Sequence, residues 1–408
     1  MNYAAIMTVV FSIFVMVFQG CATPERLPAV PVGLEDQAQV PGFSDVRYRI
    51  GFAKDMDAIS QEAVEAYRRE LGYFAASGRS GQLPPAVFLA ISGGGDNGAF
   101  GAGLLCGWTA AGDRPEFKLV TGISTGALIG PFAFLGSSYD DQLKEFYTNV
   151  SPKDILEKRS LMSALFSDAA ADNRPLRELV EKAVTKNMLD AIAAEYKKGR
   201  LLLVATVDLD AREGLIWNMT KIAASGHPKA LELFRSVMIA SAAIPGAFPP
   251  TMIDVEAGGQ KYQEMHVDGG TMAQVFIYPP SISAKELARK EHAEPRERRL
   301  YIIRNSRLDP EWAQVDRRTL TIAGRAVSSL IHTQGIGDLY RIYLTAQKDG
   351  LDYNLAYIPK SFNVPKKEDF DTAYMRELFD VGYNMAVKGY PWQKTPPYFQ
   401  PSGSTDSK

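Results

Sequence analysis

The chain has 408 residues, 46% of them hydrophobic, and a formal net charge of −2, enough to bury a large core as one α/β domain with appendages. Its lysines and arginines are scattered, and the densest basic patch, Arg296, Arg298 and Arg299, alternates with acids, so nucleic-acid binding is not expected. Cys21 and Cys106 are the only cysteines and lie in unlike contexts, which excludes a cysteine-rich metal site and argues against a disulfide framework.

Ala4 to Gly20 are uncharged and mostly apolar, and Cys21 follows at once. That run is short for a membrane span and suits the apolar region of a signal peptide. Phe18-Gln19-Gly20-Cys21 resembles a bacterial lipobox, which implies a leader over 1–20, a diacylglyceryl group on Cys21 and a lipid-anchored protein of the bacterial cell envelope, on the outer membrane or periplasmic face. A plain exported or periplasmic form is the alternative. Residues 21–52 are proline-rich without sustained periodicity and read as a tether leading into an extended segment. Met56, Ile59, Ala63, Tyr67, Leu71 and Phe74 recur at spacings of three and four, predicting an amphipathic helix over Asp55–Phe74 in an N-terminal helical segment, 53–85. The main domain is expected over 86–392 and a disordered tail over 393–408.

Within that domain Ala86–Ser92 predicts a buried strand, Gly93-Gly94-Gly95 a loop, and the small residues from near Gly98 a helix. Phe117–Ile123 predicts a second strand, Gly122-Ile123-Ser124-Thr125-Gly126 a tight turn, and Ala127–Leu135 the helix leaving it. Helices follow over Ser138–Val150 and Arg174–Tyr196, a strand over Leu201–Val207 with Leu215–Met219 pairing nearby, and a helix over Ala230–Ala243 that Pro245, Pro249 and Pro250 stop. After Asp268-Gly269-Gly270 come a polar insert (Ser281–Arg298), a strand (Leu300–Arg304), a helix (Leu320–Gln347), a strand (Tyr353–Ile358) and a last helix (Glu368–Val387). Strands alternating with helices predict a mostly parallel sheet covered on both faces.

The chemistry concentrates on residues 91–127. A serine hydroxyl attacks only when a base takes its proton and donors meet the oxyanion it creates. A G-x-S-x-G turn between strand and helix exposes the Ser124 hydroxyl, and the Thr125 amide, at the start of the next helix, can face the oxyanion. Gly93, Gly94 and Gly95, lacking Cβ atoms, can turn their amides toward the same anion. Alone, each signal is weak: Ser124 reads equally as a turn serine, and Asp268-Gly269-Gly270 as a turn.

Taken together, Gly93-Gly94-Gly95-Asp96-Asn97-Gly98, Gly122-Ile123-Ser124-Thr125-Gly126, the segment Ala240–Pro250 and Asp268-Gly269-Gly270, in that order, resemble the patatin-like phospholipase family. The resemblance implies a three-layer α/β/α patatin-like fold and hydrolysis of phospholipids or related lipid esters without a metal. It assigns Ser124 as nucleophile, Asp268 as base in a Ser-Asp dyad, and Gly93, Gly94 and Gly95 as the oxyanion loop. Asn97 stands where many members carry arginine, and this favours a second reading, a catalytically weak lipid-binding or scaffold lipoprotein.

A carboxylate is poorly matched in pKa to a serine, so Asp268 needs a dry pocket that raises it. An α/β-hydrolase triad of Ser124, Asp208 and His332 is the rival arrangement. His266, two residues before Asp268, shares its face of a strand and can reach the site; His227 and His292 are expected to face solvent. Phe132, Phe134, Leu135 and Phe248-Pro249-Pro250 are candidates for an acyl-chain pocket.

Overall fold

In a computed structural model, residues 25–159 and 167–399 are described; the expected leader, Cys21 and residues 400–408 of the tail lie outside them. A nine-stranded sheet organises the chain. Its strands are β1 (Arg47–Arg49), β2 (Ala86–Ile91), β3 (Leu119–Gly122), β4 (Leu201–Asp208), β5 (Glu213–Asn218), β6 (Thr251–Ala257), β7 (Gln260–Asp268), β8 (Arg298–Arg304) and β9 (Asp352–Tyr357). Their order is β1-β5-β4-β3-β2-β8-β9. From β4 to β9 the neighbours are parallel, whereas β1, β5 and the β6–β7 hairpin pair antiparallel.

Alternation along the strands builds a core on each face. Val87, Leu89 and Ile91 of β2 point into one cluster, with Phe100, Leu104, Phe132, Phe234 and Phe379. Phe88 and Ala90 point the other way, toward Ile59, Leu339 and Ile342. Helices must therefore cover both faces. The first face carries α2 (Gly98–Ala111), α3 (Thr125–Leu135), α4 (Asp140–Thr148), α5 (Arg174–Ala183), α6 (Lys186–Lys197), α7 (Met219–Ala224), α8 (Ala230–Ser241) and α11 (Thr372–Val387). The second carries α1 (Ala53–Ala76), α9 (Ala284–Lys290) and the long α10 (Thr319–Asp349). The architecture is α/β, three layers around a mostly parallel sheet, as expected from the sequence.

Three local differences have physical causes. The helix expected over Arg174–Tyr196 is two, because the Thr185 side chain accepts the Met188 amide and starts α6 afresh. The β6–β7 hairpin joins at Gly258-Gly259, both with positive φ, inside a stretch for which the sequence reading names no element. The segment expected as a tether is packed instead: Ala38, Val40, Phe43, Val46 and Tyr48 are buried, and β1 adds a strand beside β5. At the other end the first residues of the expected disordered tail are packed: Gln393 pairs with Leu355, Lys394 with Asp352 at 2.8 Å, and the Phe399 ring lies against Tyr340 and Tyr343. No helix among the described residues is long and apolar enough to cross a membrane.

Candidate active site

The site forms where β3 stops. Gly122 is opposite Val204 of β4, and the chain then turns so sharply that Ser124 takes φ 55° and ψ −124°, a conformation side-chain-bearing residues rarely adopt. The flanking glycines make this turn possible. A Cβ on Gly122 would lie 2.3 Å from the Gly126 carbonyl oxygen, and one on Gly126 would lie 2.2 Å from the Ile91 carbonyl oxygen. Further along β4, in the place β3 has vacated, Thr206 pairs with Asp268 of β7. The end of β7 thus lies against the elbow, and Asp268 comes from far downstream to the side of Ser124.

The end of α8 locks the two together. Ser241 Oγ accepts the Ser124 amide at 3.0 Å and donates to the Ala205 carbonyl at 2.8 Å; the Ala243 carbonyl accepts the Asp268 amide at 3.0 Å. Asp268 is 4% exposed. Burial pushes its carboxyl up to about 6, although contact with the Ser124 hydroxyl and the Gly270 amide, at 2.7 Å, opposes the shift.

The glycine loop borders Ser124 from β2. Its Gly93 differs from the sequence expectation in one respect: its amide donates to the Gln274 carbonyl at 3.0 Å. The amides of Gly94, Gly95 and Thr125 have no protein acceptor among the described residues, and Thr125 opens α3, where the helix dipole favours negative charge. Gly95 has φ 59°, and a Cβ on Gly94 would lie 2.2 Å from the Asn305 carbonyl oxygen. Asn305 holds this loop: its Nδ2 donates to the Ser92 carbonyl at 3.0 Å, and its Oδ1 accepts the Gly101 amide at 3.0 Å. Beyond the glycines, Asn97 accepts from the Tyr374 hydroxyl at 2.7 Å, and buried Asp96 pairs with Lys366 at 3.1 Å.

Residues 89–279, the span from β2 past Asp268, match the sequence model of the patatin-like phospholipases. Residues 89–279 form a patatin-like phospholipase domain. No curated protein matches the sequence. Among solved structures, VipD from Legionella pneumophila aligns over 76% of this chain and 67% of its own, with 12% identity and a TM-score of 0.37.

The other candidates have partners of their own and no hydrogen bond to Ser124 among the described residues. His266 is fully buried, with Nδ1 2.9 Å from Thr206 Oγ1 and Nε2 3.0 Å from Glu264 Oε2. Burial by itself would raise the Glu264 carboxyl, but Arg47 and His266 hold it down to about 2, so His266 belongs to a buried polar network around the Arg47–Glu264 pair. The Asp208 carboxylate accepts the Asp210 amide at 3.0 Å. His332 borders a polar cleft with Arg304, and burial and Arg304 lower its pKa. No hydrogen bond among the described residues joins His332 to Ser124 or Asp208, so the rival triad is not assembled. His227 packs on Phe43 instead of facing solvent.

Two hollows adjoin the elbow of the patatin-like domain. One, about 40 Å³, is lined by Ser124, Thr125, Leu128, Phe146, Leu176 and Phe248 among others. Of the aromatic residues proposed for an acyl pocket, Phe248 is there, whereas Phe132 and Phe134 are core residues and Leu135 borders a separate hollow beside Arg114 and Arg200. The other is the polar cleft, about 460 Å³, bounded by Gly93, Gly94, Asn97, Gln274, Arg304 and the first half of α10. Gln274, Ser241 and Asn305 carry no motif that sequence reasoning uses, except that Ser241 falls inside the Ala240–Pro250 segment. No cluster of His, Cys, Asp or Glu able to hold a metal occurs among the described residues.

Proposed function

We propose that the chain is a serine-dependent acyl hydrolase that cleaves phospholipids or related lipid esters, with Ser124 as nucleophile and Asp268 as its base. The observation that carries this reading is the strained, amide-anchored Ser124 set against a buried carboxyl whose pKa lies at about 6. A base near the working pH is ionised enough to accept the Ser124 proton and weak enough to return it. As Ser124 Oγ attacks the acyl carbonyl, the proton passes to Asp268 and the new oxyanion meets the amides of Gly94, Gly95 and Thr125. Collapse expels the alcohol, which takes the proton from Asp268. Water, deprotonated by Asp268, then attacks the acyl-Ser124 ester, and collapse releases the fatty acid as Ser124 Oγ takes the proton back from Asp268. Leu128, Phe146, Leu176 and Phe248 receive the first part of the acyl chain.

Asn97 supplies no charge to the oxyanion, and Lys366, which reaches the glycine loop, is paired there with Asp96, so stabilisation rests on backbone amides. Wild-type protein should hydrolyse phosphatidylcholine vesicles and p-nitrophenyl butyrate, and Ser124→Ala and Asp268→Asn should each lose about 10³-fold or more on both. Equal turnover by Ser124→Ala would remove the reading. The reading extends to a diacylated Cys21 that tethers the protein to the bacterial envelope. Arg26 pairs with Asp210, just past the carboxyl end of β4, so such a tether would reach the bilayer from the end of the sheet that carries Ser124. Palmitate incorporation that persists in Cys21→Ser, or is missing from the wild type, would count against it.

A further inference from the structure

The first half of α10 is turned inside out. At 3.6 residues per turn, Ile322, Ala323, Ala326, Val327 and Leu330 fall on one side of the helix, and Arg325, Ser328, Ser329 and His332 on the other. In a globular protein the apolar side faces the core. Here the polar side borders the cleft beside the glycine loop, and the apolar side faces outward, with Ile322 52%, Val327 53% and Leu330 70% exposed. Trp312, in the segment leading to α10, is 87% exposed, and the neighbouring Glu311 carbonyl accepts from Arg325. Exposed Met272 continues the same rim, its carbonyl accepting from Gln334 at 2.5 Å.

We infer that this surface docks onto an anionic phospholipid bilayer, with the outward face of α10 and Trp312 immersed at the interface and the mouth of the cleft held against the lipid. Charge supports this occupant over another protein. Arg317 and Arg318, next to Asp316, stand at the start of the apolar face, no carboxylate occurs from Arg317 to Gly337, and Glu311, beside Trp312, is paired with Arg307 at 3.3 Å, so the apolar stripe begins at a pair of cations, as in helices that lie in a headgroup layer. Tryptophan beside such a stripe suits the same boundary. Leaving this face wet costs the free energy its burial would release, and immersion recovers it. The position also suits the proposed hydrolase, on which this inference rests for its purpose: the docked face borders the cleft that Gly93 and Gly94 of the glycine loop line.

Two measurements on the full chain test it. Brominated phosphatidylcholine in vesicles containing phosphatidylglycerol quenches tryptophan only at the bilayer. Trp108 and Trp217 are buried and Trp392 is half-buried, and all three remain in Trp312→Phe, so the difference between wild type and Trp312→Phe isolates Trp312. Quenching that Trp312→Phe removes is expected; equal quenching in both would overturn the docking. In the second, the double variant Val327→Glu/Leu330→Glu, at positions that do not line the cleft, should hydrolyse those vesicles about tenfold more slowly, with p-nitrophenyl butyrate turnover within about twofold of wild type. Unchanged vesicle hydrolysis overturns the inference, as does a wild-type dimer that the double variant dissociates. If wild type cleaves neither substrate, the hydrolase reading fails, and the quenching result still decides the docking.

Discussion

Asp268 is the residue on which function and stability pull in opposite directions. Its folded pKa, about 6, lies above the ordinary 3.8, so above pH 6 the fold holds a carboxylate that the unfolded chain solvates better. As pH falls from about 6 to about 4, the folded state takes up the proton first and the penalty disappears. Asp268→Asn should therefore raise stability at pH 8 by up to about 3 kcal/mol while abolishing turnover, with thermal melts and assays as the readout; destabilisation at pH 8 would show that burial does not strain this group. The same pKa places the acid limb of kcat/KM near pH 6. Ser241 acts through the Ser124 backbone, so Ser241→Ala should lower kcat by about 10- to 100-fold with KM nearly unchanged, whereas a purely structural role would lower melting temperature and leave kcat alone. His332→Ala should keep most activity, because no hydrogen bond among the described residues ties His332 to Ser124.

Among the elements, the strand-turn-helix of the elbow is the most constrained. Gly126→Ala would press a methyl against the Ile91 carbonyl, so circular dichroism melts should show a loss of about 2–4 kcal/mol or no folded protein; a melt like the wild type's would mean that β2 and α3 can part cheaply. This element is legible in the sequence because its constraint is local: glycines, serine and the apolar strand are contiguous. The break between α5 and α6 is less legible, since helical periodicity runs through it and only the Thr185 cap interrupts it. The β6–β7 hairpin does have a signal, alternating apolar residues around Gly258-Gly259, but the prolines before it and the Asp268 motif after it draw the reading past. Packing of the segment before α1 leaves no such mark, because its buried residues, from Ala38 to Tyr48, follow no helical or strand period.

For the whole molecule, the site is a product of topology. Gly93–Gly95, Ser124 and Asp268 can be singled out from motifs, but that β7 takes the place of β3 beside β4, and so carries Asp268 to Ser124, is a consequence of sheet order that local sequence does not encode. Gln274 shows the same limit: it joins the glycine loop, the Gly270 carbonyl, at 2.7 Å, and Asp338 of α10, at 2.6 Å, a junction of three distant segments with no motif of its own. The central claim, that this topology creates a reactive serine, is tested most directly by a fluorophosphonate probe followed by peptide mapping. The account predicts one adduct, on Ser124, absent from Ser124→Ala and formed at a rate that falls as pH drops through about 6. No adduct on the folded wild-type protein, or equal labelling of Ser124→Ala, would contradict it.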